Sequence, residues 1–260
     1  AYIRTGQSSR PEAIVHPAKL PWLLDHRQKS ERLRHILYDK AESHFDNYLK
    51  TMNVPADGQT VGTLSVLPLY PEEPLADYKT LPQLIAQSSS SAPYGTLADA
   101  HFPLQPVQDG AAVISNKRGV YRMTEFNAYG LVMNKQIISQ EEMINGHLSK
   151  TVHIERLAQN AALFLLSARK FLGQLSFGGP LYFRFKTSNI RALRALFCTR
   201  QATVLEDYLR LDRNLSLGDL ETRLPEILED IVTETAWSRG LQTSPNEMKD
   251  LVRQTLQEAR

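Results

Sequence analysis

An apolar helix followed at once by an alternating strand constrains this fold more than any other stretch of the chain. Ile154, Leu157, Ala158, Ala161, Leu165, Ala168 and Leu172 recur at three- and four-residue spacing, the period of one helix face. Phe164, Leu166 and Phe171 widen the stripe, so the spacing predicts a largely buried helix, capped at Thr151 or His153 and running through Leu172. Gly173 closes it, and Gly178-Gly179-Pro180 turns the chain into Leu181-Tyr182-Phe183-Arg184-Phe185-Lys186. Successive side chains of a strand point to opposite faces. Leu181, Phe183 and Phe185 then cover the helix, while Tyr182, Arg184 and Lys186 share the other face.

Further elements can be read on both sides. Leu33, Ile36, Leu37, Ala41, Phe45, Tyr48, Leu49 and Met52 predict an amphipathic helix from Ser30 to Met52. Thr60 to Pro68 alternates like a strand. Residues 72–105 carry four serines in a row between prolines and read as a long loop with a short helix near Leu81 to Ala86. Gly119 to Phe126 and Leu131 to Ile138 flank Asn127-Ala128-Tyr129-Gly130, a hairpin signature with Gly where positive φ is wanted. Three helical stretches are expected to finish the chain: Ala202 to Arg210, a helix capped at Ser216 and broken near Pro225, and one opened by the capping box Ser244-Pro245-Asn246-Glu247. The expectation is α+β: a mostly antiparallel sheet of about four or five strands, helices packed on one face, and a helical C-terminus.

The 260 residues suffice for one large domain or two small ones. A single cysteine, Cys198, excludes an internal disulfide and a cysteine-based zinc site, and the apolar run around it predicts a small buried side chain. No apolar run approaches a membrane span and no secretory signal opens the chain, so cytoplasmic residence is the default. The net charge of +2 hides an asymmetry. Residues 115–200 hold 13 Lys/Arg against 4 Asp/Glu, whereas 201–260 hold 7 against 12. This pattern fits a basic surface for nucleic acid or an acidic ligand, or a basic segment packed beside an acidic one.

Catalytic signatures are missing: no phosphate-binding Gly-rich loop, no nucleophile elbow and no His-Glu-x-x-His. His35 and His44 fall on opposite sides of a continuous helix, and His35 with Asp39 has no third ligand. Glu141-Glu142 reads as a solvated helix start. The residues therefore name no catalytic group, metal or cofactor. They leave a basic and aromatic set, Tyr121, Arg122, Tyr182, Arg184, Lys186, Arg191 and Arg194, either a solvated sheet face or a binding face for phosphate or another acidic group. Arg4 and Arg10, which bracket Gly6 and two serines, offer a second contact for nucleic-acid backbone.

The opening Ala1 to Arg4 reads as a strand that breaks at Gly6 into a basic turn, like the last strand of an upstream domain. Tyr2-Ile3-Arg4-Thr5-Gly6-Gln7-Ser8-Ser9-Arg10-Pro11 resembles the closing strand and turn of the Schlafen-type, AlbA-like putative DNA-binding domain of bacterial proteins, departing from its pattern at Gln7. The remainder is similar, in pattern, to the C-terminal region that follows this domain in some members. The resemblance implies three parts: residues 1–12 as a remnant of the AlbA-like domain, 13–56 as linker and amphipathic helix, and 57–260 as an α+β sensing or assembly domain with C-terminal helices. It also implies a non-enzymatic regulatory module of a cytoplasmic regulator or defence protein, with a homo-oligomer or small ligand as partner and any catalytic cluster upstream. The alternative is a nucleic-acid-binding module in its own right, using the basic sheet face.

Overall fold

A computed structural model describes residues 2–3, 12–13, 20–55, 58–92, 95–97, 103–116 and 121–259. The elements in chain order are β1 (Tyr2–Ile3), β2 (Glu12–Ala13), α1 (Leu20–Thr51), β3 (Val61–Pro68), α2 (Leu81–Ser88), β4 (Ser90–Ala92) and β5 (Gly95–Leu97). There follow β6 (Leu104–Val107), β7 (Gly110–Ser115), β8 (Arg122–Asn127), β9 (Val132–Ile137), β10 (Gln140–Ile144) and β11 (His147–His153). After α3 (Ile154–Gln174) come β12 (Pro180–Ser188), β13 (Arg194–Phe197), β14 (Arg200–Thr203), β15 (Tyr208–Ser216), α4 (Leu217–Thr222), α5 (Leu224–Ser238) and α6 (Pro245–Glu258).

The fold is α+β, built on a seven-stranded antiparallel sheet in the order β15-β12-β3-β9-β8-β7-β6. A four-stranded sheet, β10-β11-β13-β14, adds one parallel pair, β11 with β13. Among the described residues no helix is long and apolar enough to cross a membrane. The apolar side chains of β12 face α3 as their alternation requires: Leu181, Phe183 and Phe185 join one core with Leu64 and Val66 of β3, Phe126 of β8 and the α3 stripe. Phe171 meets Phe126 edge to face, with ring centroids 5.1 Å apart. The hairpin turn forms where it is expected. Asn127 Oδ1 accepts the Tyr129 N–H at 2.7 Å, and Gly130 takes φ +84°, which a side chain would strain.

Helix α1 lies across the opposite face of this sheet. Its buried Leu37, Tyr38 and Ala41 pack on Leu67, Leu131 and Met133, and its Phe45 and Leu49 on Ala112 and Met123. Polar pairs flank this stripe. Asp46 Oδ1 lies 2.9 Å from Lys135 Nζ, Glu42 Oε1 lies 3.4 Å from Lys186 Nζ, and His44 Nδ1 lies 2.8 Å from the buried Glu125. Ile36 and Met52, expected on the apolar stripe, are exposed.

Four local expectations are corrected. The main sheet exceeds the four or five strands expected. Ala202 to Arg210 is not helical but spans the end of β14 and the start of β15. Glu141-Glu142 belongs to β10, which turns at Asn145-Gly146, both with positive φ, into β11. Cys198 is exposed rather than buried, because it occupies a two-residue turn between β13 and β14 with φ +51°. Its N–H donates to Glu155 Oε1 at 2.7 Å, and partial desolvation at the turn together with that carboxylate holds its thiol above the usual range.

Both N-caps expected among the C-terminal helices form. The Ser216 N–H donates to Asp219 Oδ2 at 2.8 Å while Asp219 N–H returns to Ser216 Oγ. Ser244 and Glu247 repeat the motif at α6, and Arg200 adds a fork onto the Glu247 carboxylate. The Arg200 bonds, then the Ser244 N–H and hydroxyl, pull Glu247 down to about 2. The folded pKa is depressed, so this stabilisation is complete above the ordinary carboxylate pKa and is lost as pH falls towards about 2. Thermal melts across that acid range should show a shallower pH dependence in Glu247→Gln than in the parent protein. An unchanged slope would show that Glu247 does not set it.

The core also encloses Arg239, the C-cap of α5, at 1% exposure. Its guanidinium donates to the Thr235 carbonyl at 3.1 Å and to Thr187 Oγ1 at 3.2 Å, while its Nε has no hydrogen-bond partner. Burial lowers its pKa to about 10. A cation beside the last carbonyls of a helix is favoured by the helix dipole, which offsets part of that cost.

Candidate binding surface

The sheet face beneath α1 alternates by strand register. In β12, Tyr182, Arg184 and Lys186 project towards α1, and Tyr182 pairs with Asn214, Arg184 with Asp212 and Lys186 with Arg210 of β15. The alternation Tyr182-x-Arg184 therefore meets the alternation Arg210-x-Asp212, and four polar side chains converge at the edge of the sheet. Arg184 Nε donates to Asp212 Oδ1 at 3.1 Å, and Arg210 Nε donates to Asp212 Oδ2 at 2.7 Å. Both arginines also donate to the Tyr182 hydroxyl, at 3.2 and 3.4 Å.

Helix α1 roofs this group with Arg34 and Tyr38, residues one turn apart and so on one helix face. The Arg34 guanidinium lies 4.7 Å from the Tyr182 ring centroid and donates to the Leu69 carbonyl at 2.9 Å. Arg184 lies 4.7 Å from the Tyr38 centroid and 5.4 Å from that of Tyr182, so one guanidinium is shared by two rings. Burial pushes the Tyr38 hydroxyl up to about 12, so it stays protonated. Burial alone would lower the Arg184 pKa. The Tyr182 hydrogen bond and neighbouring groups outweigh it, and the net shift is upward. Burial likewise works to raise Asp212, but its bonds to Arg210, Tyr182 and Arg184 win and hold it below the usual range. Three guanidiniums thus surround two tyrosines and a single carboxylate. Arg184 is 13% exposed and Arg210, at the rim, is 48% exposed.

The remaining sequence candidates are dispersed. Tyr121 packs near Tyr48 of α1, with ring centroids 6.3 Å apart. Arg122 lies on the other sheet face, where its Nε donates to Gln136 and its Nη2 to Asn160 of α3. Lys186 is drawn to Glu42 rather than into the Tyr182 group. Arg191 sits in the connection after β12, 3.7 Å from Asp207, and Arg194 belongs to β13 of the second sheet, donating to Gln201. Arg4 and Arg10 lie outside the described residues. The basic 115–200 segment and the acidic 201–260 segment meet through Arg184–Asp212, Arg191–Asp207 and Arg200–Glu247. At these points the charge asymmetry is internal pairing. Arg34, Tyr38, Arg210 and Asp212 were missed by sequence reasoning, although Tyr208-Leu209-Arg210-Leu211-Asp212 alternates polar and apolar residues, a strand signal.

Among the described residues no group of three or more His, Cys, Asp or Glu could hold a metal ion. Compared with family models, curated proteins and solved structures, the chain matches none.

Proposed function

We propose that this chain is a non-enzymatic recognition module in which the Tyr182 cluster holds an acidic group of a ligand or partner. The excess of guanidinium over carboxylate around Tyr182 supports this reading, together with the half-exposed position of Arg210 at the rim. An arriving phosphate or carboxylate accepts hydrogen bonds from Arg210 and Arg34 while Asp212 keeps Arg184 in place. Bidentate guanidinium geometry suits such oxyanions better than an ammonium does. The resemblance at Tyr2 to Pro11 extends the proposal: the module serves a bacterial regulator or defence protein whose AlbA-like domain contacts nucleic acid.

Isothermal titration with inorganic phosphate tests the reading, alongside anisotropy of labelled single-stranded DNA at two salt concentrations. Phosphate should bind the parent chain, and Arg210→Ala should weaken it about tenfold, about 1.4 kcal/mol. Phosphate binding that is absent or indifferent to Arg210→Ala overturns the proposal. DNA binding that collapses with salt and ignores Arg210→Ala would favour a separate nucleic-acid surface instead.

A further inference from the structure

The two ends of the large sheet are treated differently. At one end β6 has only four residues and carries Pro106, a short and proline-blunted edge of the kind that discourages pairing. At the other end β15 runs nine residues, Tyr208–Ser216, without a proline or a glycine. It pairs with β12 along its whole length, and its outer side has no strand partner among the described residues. Exposed apolar side chains lie on the elements around this strand: Leu205 just before it, Tyr208 at its start (65% exposed) and Trp237 of α5 (76% exposed). Helix α5 is anchored along this edge by Glu234 on Arg213 and by Arg239 on Thr187, the residue that pairs with Leu209. Trp237 lies between these anchors along α5, one turn beyond Glu234.

We propose that two copies of this chain join edge to edge through β15, antiparallel about a two-fold axis at Leu211, to form one continuous sheet. The charges select both the occupant and the register. With Leu211 opposite its own copy, Arg210 of each chain faces Asp212 of the other, so the interface gains two opposed-charge pairs. Shifting the axis to Arg210 or to Asp212 instead sets like charges directly against each other. On the opposite face of the strand, Arg213 lays its aliphatic stem over Leu209 of the second copy while keeping Glu234. Trp237 and Tyr208 flank the new strand pair and lose exposed apolar surface, the role aromatic anchors take at interfaces. A main-chain ladder supplies affinity, as in other strand additions, and the charge order supplies specificity. Arg210 and Asp212 also belong to the Tyr182 cluster, but sedimentation reads the dimer and phosphate titration reads the anion site, so either proposal can fail without the other.

Sedimentation velocity of the whole chain at micromolar concentrations tests it. The parent protein is expected to sediment as a dimer. Arg210→Asp and Asp212→Arg, each alone, place like charges across the axis and should sediment as monomers. An equimolar mixture restores opposed charges at both positions and should form a one-to-one heterodimer. Trp237→Ala, which touches an exposed side chain and should leave the circular dichroism spectrum intact, should weaken the parent dimer at least tenfold. A monomeric parent protein overturns the proposal. So does a dimer that survives both Arg210→Asp and Trp237→Ala, because association would then lie on another surface. Variants that are folded and monomeric but fail to pair when mixed overturn the Leu211 register.

Discussion

Arg239→Ala is expected to destabilise the fold by about 3 kcal/mol, whereas Arg239→Met should cost less than about 1 kcal/mol. The two variants separate what the side chain fills from what its charge does. Arg239 is fully enclosed, and its guanidinium reaches two neutral oxygens, the Thr235 carbonyl and Thr187 Oγ1. Truncation to Ala leaves a void the length of the side chain, which core packing relaxes only in part. Methionine occupies most of that volume and removes a buried cation that has already given up its hydration. It also leaves the Thr235 carbonyl without its arginine donor, and this offsets some of the gain. Chemical denaturation of both variants measures the difference. Equal losses would show that the charge itself, not the volume, holds α5 against β12.

Phe45→Ala is expected to cost about 4 kcal/mol and to lower a single cooperative unfolding transition. Phe45 is fully buried between α1 and the sheet, packed with Leu49, Ala112 and Met123. The Lys135 ammonium, itself largely buried, lies 5.4 Å from its ring centroid while pairing with Asp46. Removing the ring therefore strips apolar contact and a cation–π partner from one place. A small loss confined to helical signal, with the sheet melting as before, would show that α1 docks as a separable layer.

Much of the architecture was legible, and the reasons follow the residues. The α3 stripe, the β12 alternation and the Asn127–Gly130 turn are local signals that tertiary packing reinforces. What stayed hidden lacked a local signal or was read with the wrong one. In β7, Ala111 and Val113 face α3 while Ala112 faces α1, so burial on both faces erases the alternation that marks a half-exposed strand. In β15 the apolar period is broken at Arg213, which is turned inward to reach Glu234, and the stretch before it resembled a helix. The Asn145-Gly146 turn was a fair hairpin signal passed over beside Glu141-Glu142. At the candidate site, Tyr182, Arg184 and Lys186 were rightly placed on one sheet face. Their roof was not foreseeable: which helix covers a polar sheet face depends on pairings such as Arg34 with Tyr182 and Asp46 with Lys135, which no spacing within either element encodes.

The order of strands has a consequence for how the molecule comes into being. Strands β6 to β9 follow one another in sequence and in space, so they can zip together as soon as they leave the ribosome. Strand β3 is made earlier, yet Val66 lies opposite Val132 on one side and Phe183 on the other. It must wait through the synthesis of the whole meander for its first neighbour, and through α3 for its second. Closing such long loops is the slow entropic step of sheet assembly. During that interval an eight-residue strand, almost wholly buried in the finished fold, has both edges open. The nascent chain is therefore most vulnerable to mispairing between the emergence of β3 and that of β12, and a chaperone that shields one segment would find its greatest use there.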